Sequence, residues 1–75
     1  MEQLNYNIGV RLKDLRKEHR LSQLEASQRL KIDRSTIAKY ETGAASPSVY
    51  LLIDLSKMYR VSTDYILGLS DQSTH

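Results

Sequence analysis

The sequence contains no cysteine, tryptophan or phenylalanine, and only one proline and three glycines among its 75 residues. Without cysteine, and with His19 and His75 as the two histidines, neither a disulfide scaffold nor a zinc framework can be assembled. No metal or other cofactor is expected. A chain this short buries only about 60 to 65% of its unfolded surface, and small domains commonly lean on such crosslinks. Packing alone must therefore hold this fold. No apolar run approaches the roughly 20 residues needed to cross a bilayer. The N-terminal MEQLNYN is polar and acidic, where a signal peptide is basic and then apolar. No membrane partner and a cytoplasmic location are the expectation.

What is present is the composition of a globular protein: 40% hydrophobic, 27% charged, with every aromatic a tyrosine. The length allows one core and excludes a multi-domain enzyme. Net charge is +2, but it is unevenly placed. Residues 8–41 carry nine Lys/Arg against five Asp/Glu, whereas residues 42–75 carry two against three. A basic N-terminal half on a near-neutral remainder suits a polyanion-binding face, and solvated helix surface explains the surplus equally well.

The hydrophobic spacing predicts an all-α fold of five short helices. Ile8, Leu12 and Leu15 mark one face of a first helix over residues 7–19, with Asn7 as its N-cap. Ser22 and Glu25 form a capping box that opens a second helix, ending near Leu30. A turn of Lys31, Ile32 and Asp33 follows. Asp33 caps a third helix with Ile37 and Tyr40 inward, and Gly43 supplies the left-handed residue beyond it. Pro47, capped by Ser46, starts a fourth helix reaching Met58 or Tyr59. Ser62 caps the last, residues 63–67, stopped by Gly68. Two short helices joined by a three-residue turn at residues 23–42 have the geometry of a DNA-binding helix-turn-helix, a geometry that other helical bundles also contain.

The ordered residues extend well beyond that pattern. They are Leu15 and Arg16; Leu21, Ser22 and Gln23; Leu30, Ile32 and Ile37; Glu41, Thr42 and Gly43; Pro47 and Ser48; Leu52; Val61 and Ser62; and Ile66, Leu67 and Gly68. Together they resemble the Cro/cI-type phage-repressor family, also called XRE-like helix-turn-helix domains, over residues 8–68. The resemblance implies a compact, lambda-repressor-like five-helix bundle. Residues 1–7 would be an N-terminal extension and 69–75 a flexible tail. Three positions depart from the family pattern. Ala26 stands where a large aliphatic residue is usual, Ser27 where alanine is, and Lys31 where glycine is. Lys31 must then adopt a left-handed backbone, or the turn must deform slightly, at a cost on the order of 1 kcal/mol.

The family resemblance also implies a function: a sequence-specific, double-stranded DNA-binding transcription regulator of prokaryotic or phage origin. In particular it implies a repressor that occupies an inverted-repeat operator as a dimer. With Ile37 and Tyr40 inward, Arg34, Ser35, Ala38 and Lys39 lie outward on the third helix. Arg34, Ser35 and Lys39 are the expected base contacts, with Thr36 offering a methyl group or packing. Phosphate contacts are expected from Gln23, Thr42 and the Ala44 and Ala45 amides, with Arg11 and Arg20 at the edge. Arg16 and Glu41 match a structural ion pair of the family.

The fourth helix carries more apolar residues than one core stripe needs. Leu51, Leu55 and Met58, with Tyr65 and Leu69, are candidates for a homodimer contact; a wide core stripe in a small domain accounts for them as well. No catalytic set is visible, because His19 has no cysteine or spaced carboxylate pair beside it. Two alternatives stay open. One is an antitoxin or restriction-modification controller regulating its own operon. The other is a non-catalytic protein-interaction module using the same helix face.

Overall fold

The computed structural model describes residues 2–71 and contains five helices: α1 (Glu2–Glu18), α2 (Gln23–Leu30), α3 (Arg34–Thr42), α4 (Val49–Tyr59) and α5 (Thr63–Leu67). No strand occurs among the described residues, and none of their helices is long and apolar enough to cross a membrane. Residues 72–75, part of the expected C-terminal tail, lie outside the described residues. The core joins Ile8, Leu12 and Leu15 of α1 to Leu21, to Leu55 and Tyr59 of α4, and to Val61 and Ile66. Helix α1 packs against both α3 and α5.

Helix starts follow hydroxyl caps. The Ser22 hydroxyl accepts the Glu25 N–H at 3.0 Å, and the Glu25 carboxylate accepts the Ser22 N–H at 2.9 Å, completing the capping box. Those bonds hold the Glu25 carboxyl below its ordinary range. Ser62 caps α5 by accepting the Tyr65 N–H at 3.0 Å. Three starts differ from the sequence expectation. Helix α4 is capped by Ser48, which accepts the Leu51 N–H at 3.2 Å, so Ser46 and Pro47 belong to the preceding loop. Asp33 occupies the cap position of α3, but its carboxylate makes no capping bond. Helix α1 begins at Glu2, which places Asn7 inside the helix instead of at its cap. Leu4 explains the longer helix. It lies one turn before Ile8 and, with Pro47, Val49, Leu52 and Leu67, lines a shallow apolar cleft of about 300 Å³.

Leu55 is a correction to the dimer candidates, since at 2% exposed it is a core residue. Leu51, Met58 and Tyr65 are half-buried against the same core, and Leu69 is exposed. The face that α4 turns to solvent carries Val49, Tyr50 and Ile53, with Tyr50 82% exposed.

Two contacts fasten α1 to the end of α3. A Cβ added at Gly9 would lie 2.5 Å from the Tyr40 carbonyl oxygen and 2.6 Å from that of Glu41, so only glycine permits this approach. Further along α1, the buried Arg16 guanidinium meets Glu41 in a forked pair. Nε donates to Oε2 at 2.7 Å and Nη2 to Oε1 at 3.0 Å. Its Nη1 donates to the Leu21 carbonyl at 2.8 Å. The Glu41 bond holds Arg16 protonated even more firmly than usual. Tyr59 packs nearby, its ring centroid 5.4 Å from that of His19, whose Nδ1 pairs with the Leu15 carbonyl at 2.9 Å. Burial, reinforced by the Glu41 charge, pushes the Tyr59 phenol up to about 12.

Two outcomes follow from these contacts. Arg16→Ala strands the Glu41 carboxylate and is expected to cost about 3 to 5 kcal/mol in urea unfolding. Gly9→Ala is also expected to destabilise, by about 1 to 3 kcal/mol, although alanine is the better helix former. Parent-like midpoints for both variants would show that α1 and α3 are not held in this way. The Tyr59 phenol has the opposite linkage to a carboxylate whose pKa an ion pair lowers, because its folded pKa lies above an unfolded value of about 10. Its contribution is intact below pH 10 and falls as the unfolded chain ionises between pH 10 and about 12, by up to about 1.4 kcal/mol per pH unit. Tyr59→Phe should lose stability less steeply than the parent over that window, and equal slopes would contradict it.

Candidate nucleic-acid interface

The relation between α2 and α3 is set by small residues and one unusual turn. Ala26 and Ser27 are the buried residues of α2, which packs against α3, and the Ser27 hydroxyl donates to the Leu24 carbonyl at 2.7 Å. Lys31 ends α2 with φ 58° and ψ 43°, the left-handed conformation, which of the two expected alternatives is the one that keeps the turn undeformed. Its N–H donates to Gln28 O at 3.3 Å, and the Ile32 N–H donates to Ser27 O at 3.0 Å. That is the double bond pattern of a Schellman turn, made with lysine in place of glycine. Residues 31–33 alone separate α2 from α3.

On α3, Ile37 and Glu41 are buried and Tyr40 is half-buried, while Arg34, Ser35, Lys39 and Thr42 are exposed. At about 100° per residue, Arg34, Ala38, Thr42, Ser35 and Lys39 fall in that order around one outward arc of roughly 140°. Arg34 and Lys39 are its two borders, and Ser35 with Thr42 its middle. Thr36 is half-buried at the flank. Neither Arg34 nor Lys39 lies within ion-pair distance of a carboxylate among the described residues, so both cations are available to a ligand. A rod with two unpaired cations and hydroxyls between them has the donors that base edges and phosphates accept.

The residues expected around this arc divide into three places. Gln23 is the first residue of α2, and its Nε2 donates to Glu41 Oε1 at 3.2 Å, tying α2 to the buried pair. Arg20 is exposed in the preceding turn with φ 56°. At the other end of α3, the expectation for the loop amides is corrected. Ala44 N–H and Ala45 N–H both donate to the Lys39 carbonyl, at 2.9 and 3.3 Å, and the Thr42 hydroxyl donates to the same oxygen at 3.2 Å. These three donors close the end of α3, a role that local spacing of small residues did not reveal. Arg11 lies apart from them: its Nη1 donates to Asn7 O at 3.2 Å, and its guanidinium lies beside Gly68 after α5.

Tyr6 was missed by the sequence reading. The Tyr6 backbone packs against Gly43, whose added Cβ would lie 2.9 Å from the Tyr6 Cα, so the first turns of α1 border the end of α3. The signal was Leu4, which extends the spacing of Ile8, Leu12 and Leu15 by one turn, but no cap residue announced a helix start there.

Comparison with known proteins agrees with this geometry. A family model described as Helix-turn-helix matches residues 12–66. The chain is 37% identical over 67 residues to the HTH-type transcriptional regulator ImmR of Bacillus subtilis, covering 89% of this chain and 53% of that protein. It is 41% identical over 60 residues to the SPbeta prophage-derived HTH-type regulator YonR of the same organism, covering 80% of this chain and 56% of that one. It is 38% identical over 61 residues to the antitoxin PezA of Streptococcus pneumoniae, covering 81% and 39%. The chain thus spans about half the length, or less, of these curated relatives. With the match covering most of its residues, the chain belongs to the XRE-like, or Cro/cI-type, helix-turn-helix family.

Proposed function

We propose that the chain binds double-stranded DNA in a sequence-specific way and regulates transcription, with α3 lying in the major groove. The observation that carries the reading is the single outward arc of α3, which gathers two unpaired cations and two hydroxyl residues. On it, Arg34 donates two hydrogen bonds to a guanine edge, Lys39 reaches guanine O6 or N7, and Ser35 pairs with whichever base lies opposite. Thr36 contributes its methyl group at the flank. Gln23, at the positive end of α2, and Arg20 beside it meet backbone phosphates. The loop at residues 44–46 carries no charge, which keeps the ionic contribution per subunit modest.

The role is that of a repressor whose bound form excludes polymerase from an operator. A homodimer fits this role. Its recognition helices would lie roughly 34 Å apart, one turn of B-form DNA, and its operator would be an inverted repeat. The apolar surface of α4 at Val49, Tyr50 and Ile53, with Leu69 beyond α5, supplies the twofold contact. A second reading keeps DNA binding and changes the role to autoregulation of an antitoxin operon. The similarity to PezA favours it.

Two measurements test the reading. Affinity for duplex DNA should fall steeply with salt, with a log-log slope near −0.9 per phosphate contacted. Arg34→Ala should relax base preference at one position, at about 1 to 3 kcal/mol, whereas Gln23→Ala should weaken all sequences alike. Salt-insensitive binding, or an unchanged preference in Arg34→Ala, would contradict it. For the dimer, Tyr50→Glu should leave the monomer folded and reduce the stoichiometry on operator DNA from two chains to one. Two parent chains that sediment as monomers even on DNA would exclude the contact.

A further inference from the structure

Close to the interface lies a cleft on α1 that no sequence motif announced. Tyr6, Asn7, Val10 and Arg11 line it as an open, shallow hollow of about 310 Å³. Their spacing of three and four residues puts all four on one stretch of the helix surface. Tyr6 is 59% exposed and its phenol makes no hydrogen bond among the described residues. Asn7 is exposed as well. Arg11 spends one N–H on the Asn7 carbonyl and has no carboxylate within ion-pair distance among the described residues. A guanidinium carries five N–H donors, so the bond to Asn7 orients it without exhausting it. The cleft therefore presents a phenol, an amide and a cation, with no acid among its lining residues. Donors of this kind around a small hollow match the oxygens of a phosphodiester.

The position of the cleft says which phosphodiester. The Tyr6 backbone lies against Gly43, the residue that ends α3, so the Tyr6 end of the cleft borders the α3 surface, while the Arg11 guanidinium at its other end lies beside Gly68. At that edge the residues that would otherwise hold a phosphate are engaged internally. The Ala44 and Ala45 amides and the Thr42 hydroxyl all donate to the Lys39 carbonyl. We propose that Tyr6, Asn7 and Arg11 take a backbone phosphate of the bound duplex, replacing the donors that the short apolar loop after α3 does not offer. The inference rests on α3 being the DNA-reading helix, and it widens the footprint to the first turns of α1.

The test is a salt titration of binding to the selected operator and to an unrelated duplex, with the full chain and with Tyr6→Phe and Arg11→Ala. Thermal unfolding of each variant accompanies it. Tyr6→Phe keeps the ring and removes one neutral donor. It should bind both duplexes about tenfold more weakly, with an unchanged salt slope and an unchanged unfolding midpoint. Arg11→Ala should weaken both duplexes and lower the slope by about 0.9, the loss of one ionic contact. If Arg11→Ala unfolds, because its guanidinium also lies beside Gly68, Tyr6→Phe decides the question alone. Parent-like affinity of Tyr6→Phe, with Arg34→Ala still impaired, overturns the cleft and leaves the α3 reading in place. Parent-like affinity of Tyr6→Phe, Arg11→Ala and Arg34→Ala alike, with a parent insensitive to salt, overturns both.

Discussion

The forked bond between Arg16 and Glu41 fixes how the third helix is rolled, and the outward arc depends on that roll. Glu41 has its side chain only 4% exposed and its partner 11%, so neither charge can be turned out without leaving the other unpaired. Gln23 adds a third bond to the same carboxylate and brings in the start of α2. With Glu41 and Ile37 both drawn inward, Ser35, Lys39 and Thr42 have no choice but to face out. The pair need not add much net stability, since desolvation offsets most of the attraction. Its effect is to make one orientation of α3 far better than the rest, in a domain with no disulfide or metal to impose it.

Glycine and hydroxyl residues complete the placement. Gly9 lets the backbones of α1 and α3 touch, which brings Arg16 within reach of Glu41 and Tyr6 against the end of α3. At helix ends a second device recurs. The three non-glycine residues with positive φ among those described, Arg20, Lys31 and Arg60, are all cations at the end of a helix. Each accepts a left-handed backbone costing about 1 kcal/mol, and each places its charge where the helix dipole is negative. Lys31 does so inside the turn that orients α3, so the departure from glycine alters the composition of that turn and leaves its geometry intact.

Much of this was legible in the sequence, and the reasons are local. Ser22 with Glu25, Ser62, Gly43 and Gly68 are signals that a few residues of chain suffice to produce. The ion pair was visible only through the family resemblance, because residues 25 apart in sequence carry no periodic signal for each other. Arg20 and Arg60 gave no warning, since a left-handed cation looks like any solvated one. The roll of α4 was equally hidden: Val49 to Ile53, Leu55, Met58 and Tyr59 are apolar on almost every side, so spacing could not tell Leu55, in the core, from Tyr50, in solvent. The loop after α3 reads as open and apolar, whereas in the folded chain its amides turn back onto the Lys39 carbonyl.

The central claim is that the outward arc of α3 reads bases. Selection of bound duplexes from a random pool addresses it most directly, repeated with Lys39→Ala and with Ser35→Ala. Enrichment of one short motif in two inverted copies, altered at a defined base by each substitution, is the expected result. Recovery of no preferred sequence, or of one motif that survives both substitutions unchanged, would contradict it.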